Sequence, residues 1–399
     1  MSIFDRFRRR RTEPVDVLGP QTGDGNSRIH DLAFGGSFAG VFVDNDRALT
    51  VAAVYSAVRI LAEDVAGLPL HLYFRDGKTR RRADWRDEYR IMHHAPNDYQ
   101  TAFSLREAMV ASLLLWGNAY CEISRGVDGR VKALHFIEPE RVQVKRDPGR
   151  IYYQIDTKTT LEQRDVFHVH AFSTDGVEGR SVVKMARDSI GLALATERFG
   201  SGFFGNGATP GGVLEIQKAL RDKEAVERLR ETWNAKHQGP HKAGGVAVLE
   251  EGMTYKQIGI PPEDAQFLET RKFQVSEIAR WFRIPPHMIG DLEKATFSNI
   301  EHQGLEYVKY TLRPWLVRIE QEAARQLLDS EIQGAYYFEH LVDGLLRGDV
   351  EARYKAYSIG RQWGWLSAND IRKLENLNPI DGGDEYLTPL NMTGGGEES

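Results

Sequence analysis

Residues 263–286, EDAQFLETRKFQVSEIARWFRIPP, contain a long amphipathic pattern that ends at a pair of prolines. Leu268, Val275, Ile278 and Phe282 recur at helical spacing and predict a helix over about 263–282. At 1.5 Å per residue, such a helix is roughly 30 Å long. The following Pro285-Pro286 cannot donate backbone hydrogen bonds and should end it. This segment therefore predicts a long helix that stops abruptly before a turn.

The sequence on both sides predicts more long helices around a small β-rich insert. A second helical pattern covers about 182–204, and the segment between it and residue 263 alternates strand, helix, strand and hairpin over about 213–258. After a short polar link, the pattern of residues 298–301 is typical of a capping box and opens a helix to about Leu328, in which Pro314 should introduce a kink. Short helices are expected over about 340–377. Long apolar stripes around so small an insert favour packing against other copies, so we expect a homo-oligomer.

Residues 50–170 predict a mixed unit with local connections. Helices are expected over about 50–66 and 104–116, and a strand over 70–75 that turns at Asp76-Gly77. Further strands are expected over about 118–124, 131–137, 141–145, 151–155 and 166–169. The predicted fold class is therefore α+β.

Composition narrows the class of protein. The chain has 399 residues, a formal net charge of −5 and one cysteine, Cys121. No apolar run approaches the roughly 18 residues that a membrane span needs, and no apolar segment follows the arginine-rich start to make a secretory signal. We therefore expect a soluble chain from a reducing compartment, without intrachain disulfides. The acidic balance argues against a protein that grips nucleic acid with a large basic face, but not against one along which nucleic acid must slide.

Motifs for catalysis and cofactors are weak. Gly200–Gly205 matches G-x-G-x-x-G, but a helical pattern precedes it where the dinucleotide fingerprint needs a strand. No P-loop or nucleophile elbow occurs, and no pair of carboxylates stands out as an acid and a base. The paired histidines His93-His94 and His168/His170 are interpreted as structural, because no cysteine or H-E-x-x-H motif accompanies them. We expect no enzyme activity, no cofactor and no metal.

Two basic clusters remain open to two interpretations each. The arginines of residues 6–11 predict a disordered arm or a contact with an acidic partner. The second cluster follows the first predicted hairpin and is either a solvated rim or a contact for protein or phosphate. It comprises Lys78, Arg80, Arg81, Arg82, Arg86 and Arg90.

Eight short motifs, in order, resemble the portal protein family of tailed bacteriophages in its siphophage form. They extend over about residues 48–390, and Asp370 departs from the family pattern, in which Glu is more common. The motifs are Ala53-Val54-Tyr55 with Leu68-Pro69-Leu70-His71, Pro96-Asn97, Leu115–Tyr120, Phe203–Gly207 with Pro210–Leu214, Glu263–Glu269, Ile284–His287 with Ser298–Glu301, Thr311–Trp315, and Leu366–Arg372 with Gly382-Gly383-Asp384.

The resemblance implies a portal fold with a mixed wing, a two-helix stem, a β-α-β-β clip, a long kinked helix and a helical crown. The implied ranges are a disordered basic arm at 1–30, the wing at 31–181, stem helices at 182–208 and 262–289, the clip at 209–261, a tunnel loop at 290–298, the kinked wing helix at 299–335, the crown at 336–380 and a flexible tail at 381–399.

The resemblance also implies a function and partners. Portal proteins form a ring, usually of twelve copies, at one capsid vertex, through which a terminase packages double-stranded DNA and to which head-completion and tail proteins attach. The implied partners are further copies of the chain, DNA bound without sequence specificity, the large terminase, the major capsid protein or scaffold, and a head-completion adaptor, with no membrane. The implied location is the virion, after synthesis in the bacterial cytoplasm. A different virion scaffold or adaptor, and more remotely a nucleotide-dependent enzyme, are the alternatives.

The resemblance and the charges together nominate site residues. A moving duplex must not be held tightly, so a net-acidic ring with a few phosphate contacts is expected. The tunnel-loop candidates are Asp291, Glu293, Lys294 and Thr296. The candidates for the stem channel or for contacts between subunits are Arg271, Lys272 and Arg280. The candidates for the terminase or adaptor contact in the clip are Arg230, Lys236, His237 and Lys242.

Overall fold

The structure is a computed structural model. It describes residues 36–77, 79–205, 212–215, 224, 226–228, 231, 233, 253–257, 264–292, 303–342, 350–375 and 377–388. The chain divides into two compact units, one from residues 1–55 and 182–278 and the other from residues 56–181 and 279–399. The division after residue 181 coincides with the end of the predicted wing, whereas residues 36–55 group with 182–278.

Helices occur throughout the described ranges, and most lie where the apolar periodicity predicts them. In chain order they are α1 (Asn45–Thr50), α2 (Ala52–Gly67), α3 (Asp87–His93), α4 (Ala102–Leu115), α5 (Val182–Met185), α6 (Arg187–Gly205), α7 (Asp264–Phe282), α8 (Arg313–Leu327), α9 (Val350–Gln362) and α10 (Ala368–Leu374). A π-helical turn, Tyr307–Leu312, precedes α8 directly.

The strands are short and pair antiparallel. They are β1 (Leu70–Asp76), β2 (Thr79–Arg82), β3 (Asn118–Arg125), β4 (Val131–Ile137), β5 (Val142–Asp147), β6 (Arg150–Ile155), β7 (Thr159–Glu162), β8 (Val166–His170), β9 (Gly212–Glu215), β10 (Thr254–Gln257) and β11 (Tyr336–His340). Their orders within the sheets are β11-β1-β2, β4-β3-β8, β5-β6-β7 and β10-β9. The prediction of an α+β fold is confirmed.

The unit of residues 56–181 and 279–399 has its core between helices and the first two of these sheets. Helix α4 contacts β3 and β4, and α8 contacts β8 and β11. Leu113, Leu134 and Phe167 are fully buried there. Arg106 reaches from α4 to the end of α2, where its Nη1 and Nη2 donate to the carbonyl oxygens of Leu68 and Ala66 at 2.9 and 2.8 Å. These bonds satisfy acceptors that a helix end leaves open.

One predicted boundary near the C-terminal part differs from the structure. Residues 336–340 form strand β11, which pairs with β1 from Leu70↔His340 to Phe74↔Tyr336, whereas the sequence predicted the crown from residue 336 and short helices from about His340. Burial alternates along this strand, with Phe338 and His340 buried. The alternation spans only five residues, too few to separate a strand from a helix turn by periodicity.

The helix that ends at Leu327 contains an irregularity at the place where the sequence predicts a kink. The described part is helical from 303, turns to π geometry over Tyr307–Leu312 and continues as α8. The Arg313 N–H donates to the Val308 carbonyl, five residues back. Pro314, which lacks an N–H, follows at the second position of α8. The disruption thus takes the form of a widened turn before the proline.

The other unit contains α6, the described part of α7 up to residue 278, and the β9–β10 pair. The predicted helix over 182–204 is divided into α5 and α6 around Ala186. The N-terminal segment packs on α6: a Cβ at Gly191 would collide with the side chain of Ser37. Strand β9 pairs with β10 from Glu215↔Thr254 to Gly212↔Gln257, in agreement with the short strand predicted at 213–216 and the hairpin arm predicted before Ile258. Residues 224, 226–228, 231 and 233 are helical, within the predicted helix of 222–236.

Candidate functional site

Helices α6 and α7 pair through polar contacts. The Gln274 Nε2 donates to the Thr196 Oγ1 at 3.0 Å, and the Arg271 Nη2 lies 3.9 Å from the Glu197 Oε1. Gln274 is buried, so its hydrogen bond contributes more to the pairing of the two helices than the exposed ion pair does. The contacting positions rise along one helix as they fall along the other, as in an antiparallel pair.

These two helices also carry large apolar side chains on their surface. Phe273 is 59% exposed, and Leu192 and Phe199 are also exposed. Exposed apolar patches on helices mark surfaces that other proteins cover. Of these three side chains only Phe199 belongs to a predicted apolar stripe, whereas the stripe residues Ile278 and Phe282 are buried within the chain.

The three nominated stem residues lie on α7. Arg271 is exposed and makes the ion pair with Glu197 within its own chain, and Lys272 is exposed beside it. Arg280 is exposed in the last turn of the helix, where a cation is favourable beside the negative end of the helix dipole. All three can therefore reach solvent or another molecule.

The end of α7 is a strained joint. Arg283 has a left-handed backbone with φ of 58°, which is rare for a residue with a side chain. Its carbonyl oxygen accepts a hydrogen bond from the Thr311 Oγ1, and the Ile284 N–H donates to the Ala279 carbonyl at 2.9 Å. These bonds hold the chain in a conformation that it would otherwise avoid.

The nominated Asp291 follows this joint. A 3-10 turn over Pro286–Ile289 ends at Gly290, whose φ of 94° suits glycine. The Asp291 N–H then donates to the Pro286 carbonyl at 3.0 Å, and the residue is half-buried. The remaining nominated residues of the tunnel loop and clip lie outside the described residues; they are Glu293, Lys294, Thr296, Arg230, Lys236, His237 and Lys242.

The π turn is held at both ends by side chains. The Tyr307 hydroxyl donates to the Asp64 Oδ2 at 2.7 Å, and Thr311 bonds to Arg283 as described above. Burial raises the pKa of Asp64 above its ordinary value, although the bond from Tyr307 opposes that rise. Burial also raises the pKa of the Tyr307 hydroxyl, so Tyr307 acts as the donor. The turn is therefore bonded to α2 at one end and to the α7 exit at the other.

Histidines of both pairs form hydrogen bonds and ring contacts within the protein. The ring of His168 accepts at Nδ1 from the Tyr153 hydroxyl at 3.1 Å and donates from Nε2 to the Asn118 Oδ1 at 3.0 Å. Its burial lowers the pKa of His168 to about 3. The His93 Nδ1 donates to the Leu70 carbonyl at 2.9 Å, with its ring stacked on His71. Both nitrogens of His168 are thus occupied by protein partners.

The glycine motif does not form a nucleotide loop. Gly200 to Gly205 lie within α6, so a helix and not a strand leads into the motif. The geometry that presents backbone amides to a pyrophosphate is therefore missing from this segment. Within the described ranges there is no group of three or more His, Cys, Asp or Glu side chains that could hold a metal ion. The helices of these ranges include none with the length and apolar character to cross a bilayer.

Comparison with known proteins decides the family. The profile described as phage portal protein matches residues 52–376. The chain belongs to the phage portal protein family. This portal chain is 33% identical to the portal protein of Enterobacteria phage HK97 over 349 residues, covering 86% of the chain and 82% of that protein. It is 35% identical to the probable portal protein of Streptomyces phage phiC31 over 372 residues, covering 88% and 80%.

Solved structures share the fold of this chain. A neck of an empty gene transfer agent particle, computed with C6 symmetry, matches with a TM-score of 0.59 at 26% identity and covers 88% of this portal chain and 99% of that one. A neck of the native particle, computed with C12 symmetry, matches with a TM-score of 0.55 at 23% identity, covering 90% and 100%. The resemblance inferred from the eight motifs is confirmed.

Three features of the portal chain escaped the sequence analysis. The Asp64–Tyr307 bond joins residues 243 positions apart, and no local pattern signals it. The π turn has no signature besides Pro314 nearby. The strand β11 and the cross-strand contacts around it depend on a pairing distant in sequence, although the alternation of Tyr336, Phe338 and His340 was a usable hint.

Proposed function

We propose that this portal protein closes into a ring of twelve copies in the particle, which forms the channel for double-stranded DNA at one capsid vertex. DNA would enter through it during packaging and leave through it at ejection. The observation that supports this most is the family match over residues 52–376, joined by ring-symmetric necks among the similar structures. The exposed apolar side chains of α6 and α7 supply surfaces that neighbouring copies would cover.

The parts of the ring are assigned by the same proposal. The wing corresponds to 31–181, the stem to 182–208 and 262–289, the clip to 209–261, and the tunnel loop to 290–298. The long helix of 299–335 returns to the wing, and the crown follows β11 instead of beginning at residue 336. The large terminase and a head-completion adaptor would contact the clip, and capsid protein or scaffold would contact the wing. The ring would be made in the host bacterial cytoplasm and would then reside in the virion.

In this proposal the portal protein forms a path for DNA and does not itself hydrolyse ATP. The protein offers a path and the terminase supplies ATP hydrolysis, in agreement with the helical geometry of Gly200–Gly205. The overall acidic charge of the chain limits the number of phosphates that it can neutralise, and so limits how strongly it holds the duplex. A few cations, with Lys294 as the first candidate, would keep the duplex centred.

The first experiment images the purified protein by negative-stain electron microscopy and counts copies in top views. Closed rings with a central hole are the expected result, and compact dimers without a hole would contradict the proposal. The second compares Lys294→Glu with Lys158→Glu, a matched charge reversal on an exposed turn. Packaging or DNA retention should fall for Lys294→Glu alone, and an unchanged yield of filled particles would remove Lys294 from the channel.

A further inference from the structure

A basic and aromatic surface forms on one face of the β11-β1-β2 sheet. Strand register places Tyr73 opposite both Arg82 and Tyr337, and Arg75 opposite Arg80. Residues at alternate positions and directly opposite one another share a sheet face. We call Tyr73, Arg75, Arg80, Arg82 and Tyr337 the arginine–tyrosine face.

Two of the three arginines of this face, Arg75 and Arg80, are positioned by its tyrosines. The Arg75 guanidinium lies 4.9 Å from the centre of the Tyr337 ring, and the Arg80 guanidinium lies 4.6 Å from that of Tyr73. Stacking of this kind orients the planar guanidinium through its face and not through its N–H groups, although one terminal nitrogen of Arg80 is bonded to Glu339. The arginine–tyrosine face therefore presents fixed donors instead of freely moving side chains.

The arrangement places like charges opposite each other. Arg75 and Arg80 form a directly opposed cross-strand pair, which costs stability because the two cations repel. Glu339 pairs with Arg80 and offsets part of this repulsion. No carboxylate of the described residues forms an ion pair with Arg75 or Arg82. An anion that binds between the opposed guanidinium groups would relieve the remaining repulsion.

The surroundings favour an extended anionic partner. Strand β2 is the edge of its sheet, and all four of its residues are exposed. Residues 73–90 contain seven basic and four acidic side chains in a chain of net charge −5. Trp85, next to β2, is 62% exposed. The cations are therefore concentrated where a long polymer can reach them.

We propose that the arginine–tyrosine face contacts the phosphate backbone of duplex DNA outside the channel. This inference rests on the proposed function, which brings DNA into the same particle. Arginine matches phosphate oxygens with paired N–H donors. Contacts from arginine to phosphate oxygens carry no sequence information, so the contact is independent of sequence. In a ring, each copy adds an identical weak contact, and the sum binds far more tightly than one.

The test uses preassembled rings and covalently closed circular DNA. A closed circle has no end and cannot thread a closed ring, so its binding reports surfaces outside the channel. The variant is Arg75→Ala/Arg80→Ala, and the matched control is Arg141→Ala/Arg150→Ala, which removes two exposed, ion-paired arginines elsewhere in the same unit. We expect the variant to bind circles about tenfold more weakly than wild type, with a shallower dependence on salt, and the control to stay near wild type.

Other outcomes overturn the inference. Equal losses in variant and control would mean a general charge effect, and equal binding of all three would mean that this face does not contact DNA. Binding of polyglutamate with no binding of circles would assign the face to an acidic protein. If the variant fails to assemble, the inference is tested by amide hydrogen exchange of wild-type rings with and without circular DNA. Bound circles must slow exchange at residues 79–82, and unchanged exchange there would overturn the inference. Failure of the channel itself would appear separately, as loss of linear DNA retention or absence of rings.

Discussion

At the scale of single residues, one very tight site is the backbone contact between two glycines. A Cβ at Gly179 would lie inside the van der Waals radius of the Gly117 carbonyl oxygen and 2.6 Å from the Ala171 nitrogen. Asn118 fixes the approach, because its Oδ1 accepts from the Gly179 N–H at 2.8 Å and its Nδ2 donates to the Gly179 carbonyl at 3.2 Å. The segment after β8 is thereby held against the start of β3.

Gly179→Ala should therefore destabilise the subunit strongly. The added methyl group must displace backbone, which costs about 3 kcal/mol or more. Gly176→Ala is the control in the same loop, since its surroundings are open and only its positive φ of 75° is unfavourable for alanine, at about 1 kcal/mol. The melting temperature should fall much further for Gly179→Ala than for Gly176→Ala. Equal drops would mean that the loop moves aside easily.

The buried His168 predicts a dependence of stability on pH. Its pKa of about 3 lies below the unfolded value near 6.5, so the folded state excludes a proton that the unfolded state accepts. Its contribution to stability is present above about pH 6.5 and is lost as pH falls toward 3, by up to about 1.4 kcal/mol per pH unit. His71, whose pKa burial lowers to about 4, acts in the same direction.

His168→Gln should weaken that dependence. The amide can keep bonds to Tyr153 and Asn118 but takes no proton in this range. Melting temperatures measured at pH 7.5 and pH 5 should differ less in the variant than in wild type, even if the variant is less stable at both. An unchanged difference would place the acid sensitivity elsewhere in the protein.

At the scale of elements, the π turn between the α7 exit and α8 is the least regular part of the described helices. It persists because Tyr307 bonds to Asp64 and Thr311 bonds to Arg283. Strained geometry of this kind is retained only where surrounding contacts hold it. Its two partners lie on different segments, so the turn links the end of α7 to α2 through side chains.

Tyr307→Phe tests the link to α2. The variant leaves the half-buried Asp64 carboxylate without its donor, which should cost about 1–3 kcal/mol. Loss of the bond also raises the already elevated pKa of Asp64 further, because that bond had lowered it. The folded state then favours the protonated acid, so the deficit should be larger at pH 8 than at pH 5. Urea titrations at both values measure it, and Tyr310→Phe, at an exposed ring in the same turn, is the control.

The sequence predicted helices and hairpins better than the contacts between them. Val131–Ile137 and the end of α7 at Phe282 were predicted to the residue, because alternation, apolar stripes and proline are local signals. The hairpin at Asp76-Gly77 was predicted without bounds for its return strand β2, which is entirely exposed. The strands β7 and β11 were missed, and β11 depends on pairing with β1. Site residues were nominated by charge, but the partner of Arg271 and the Tyr307–Asp64 bond depend on the folded chain.

At the scale of the whole molecule, a portal subunit is a component that is completed by its neighbours. Phe273 and Leu192 expose apolar area to solvent in the isolated chain, and contact between apolar surface and water is unfavourable. Association that covers such side chains contributes roughly 25 cal/mol per Å² of apolar area buried. Ring closure should therefore depend on these positions more than the fold of the subunit does.

Leu192→Asp/Phe273→Asp should impair ring assembly while leaving the subunit folded. Both side chains are on the surface, so circular dichroism should stay unchanged, whereas a charge in a desolvated interface is costly. Val127→Asp, in the exposed turn between β3 and β4, is the control and should assemble normally. Native mass spectrometry or electron microscopy counts the copies. Normal rings from the double variant would place the interface on other surfaces.

The widened turn at Tyr307–Leu312 also bears on how portal sequences diverge. A hydrogen bond that spans five residues instead of four amounts to one extra residue in a helix. Relatives that lack this turn should show a single-position gap between 303 and 313 when aligned, with the apolar phase resuming unchanged after it. An insertion that would elsewhere rotate every following side chain by about 100° is absorbed here in one turn, so α8 would keep its buried face even where the length of the helix varies.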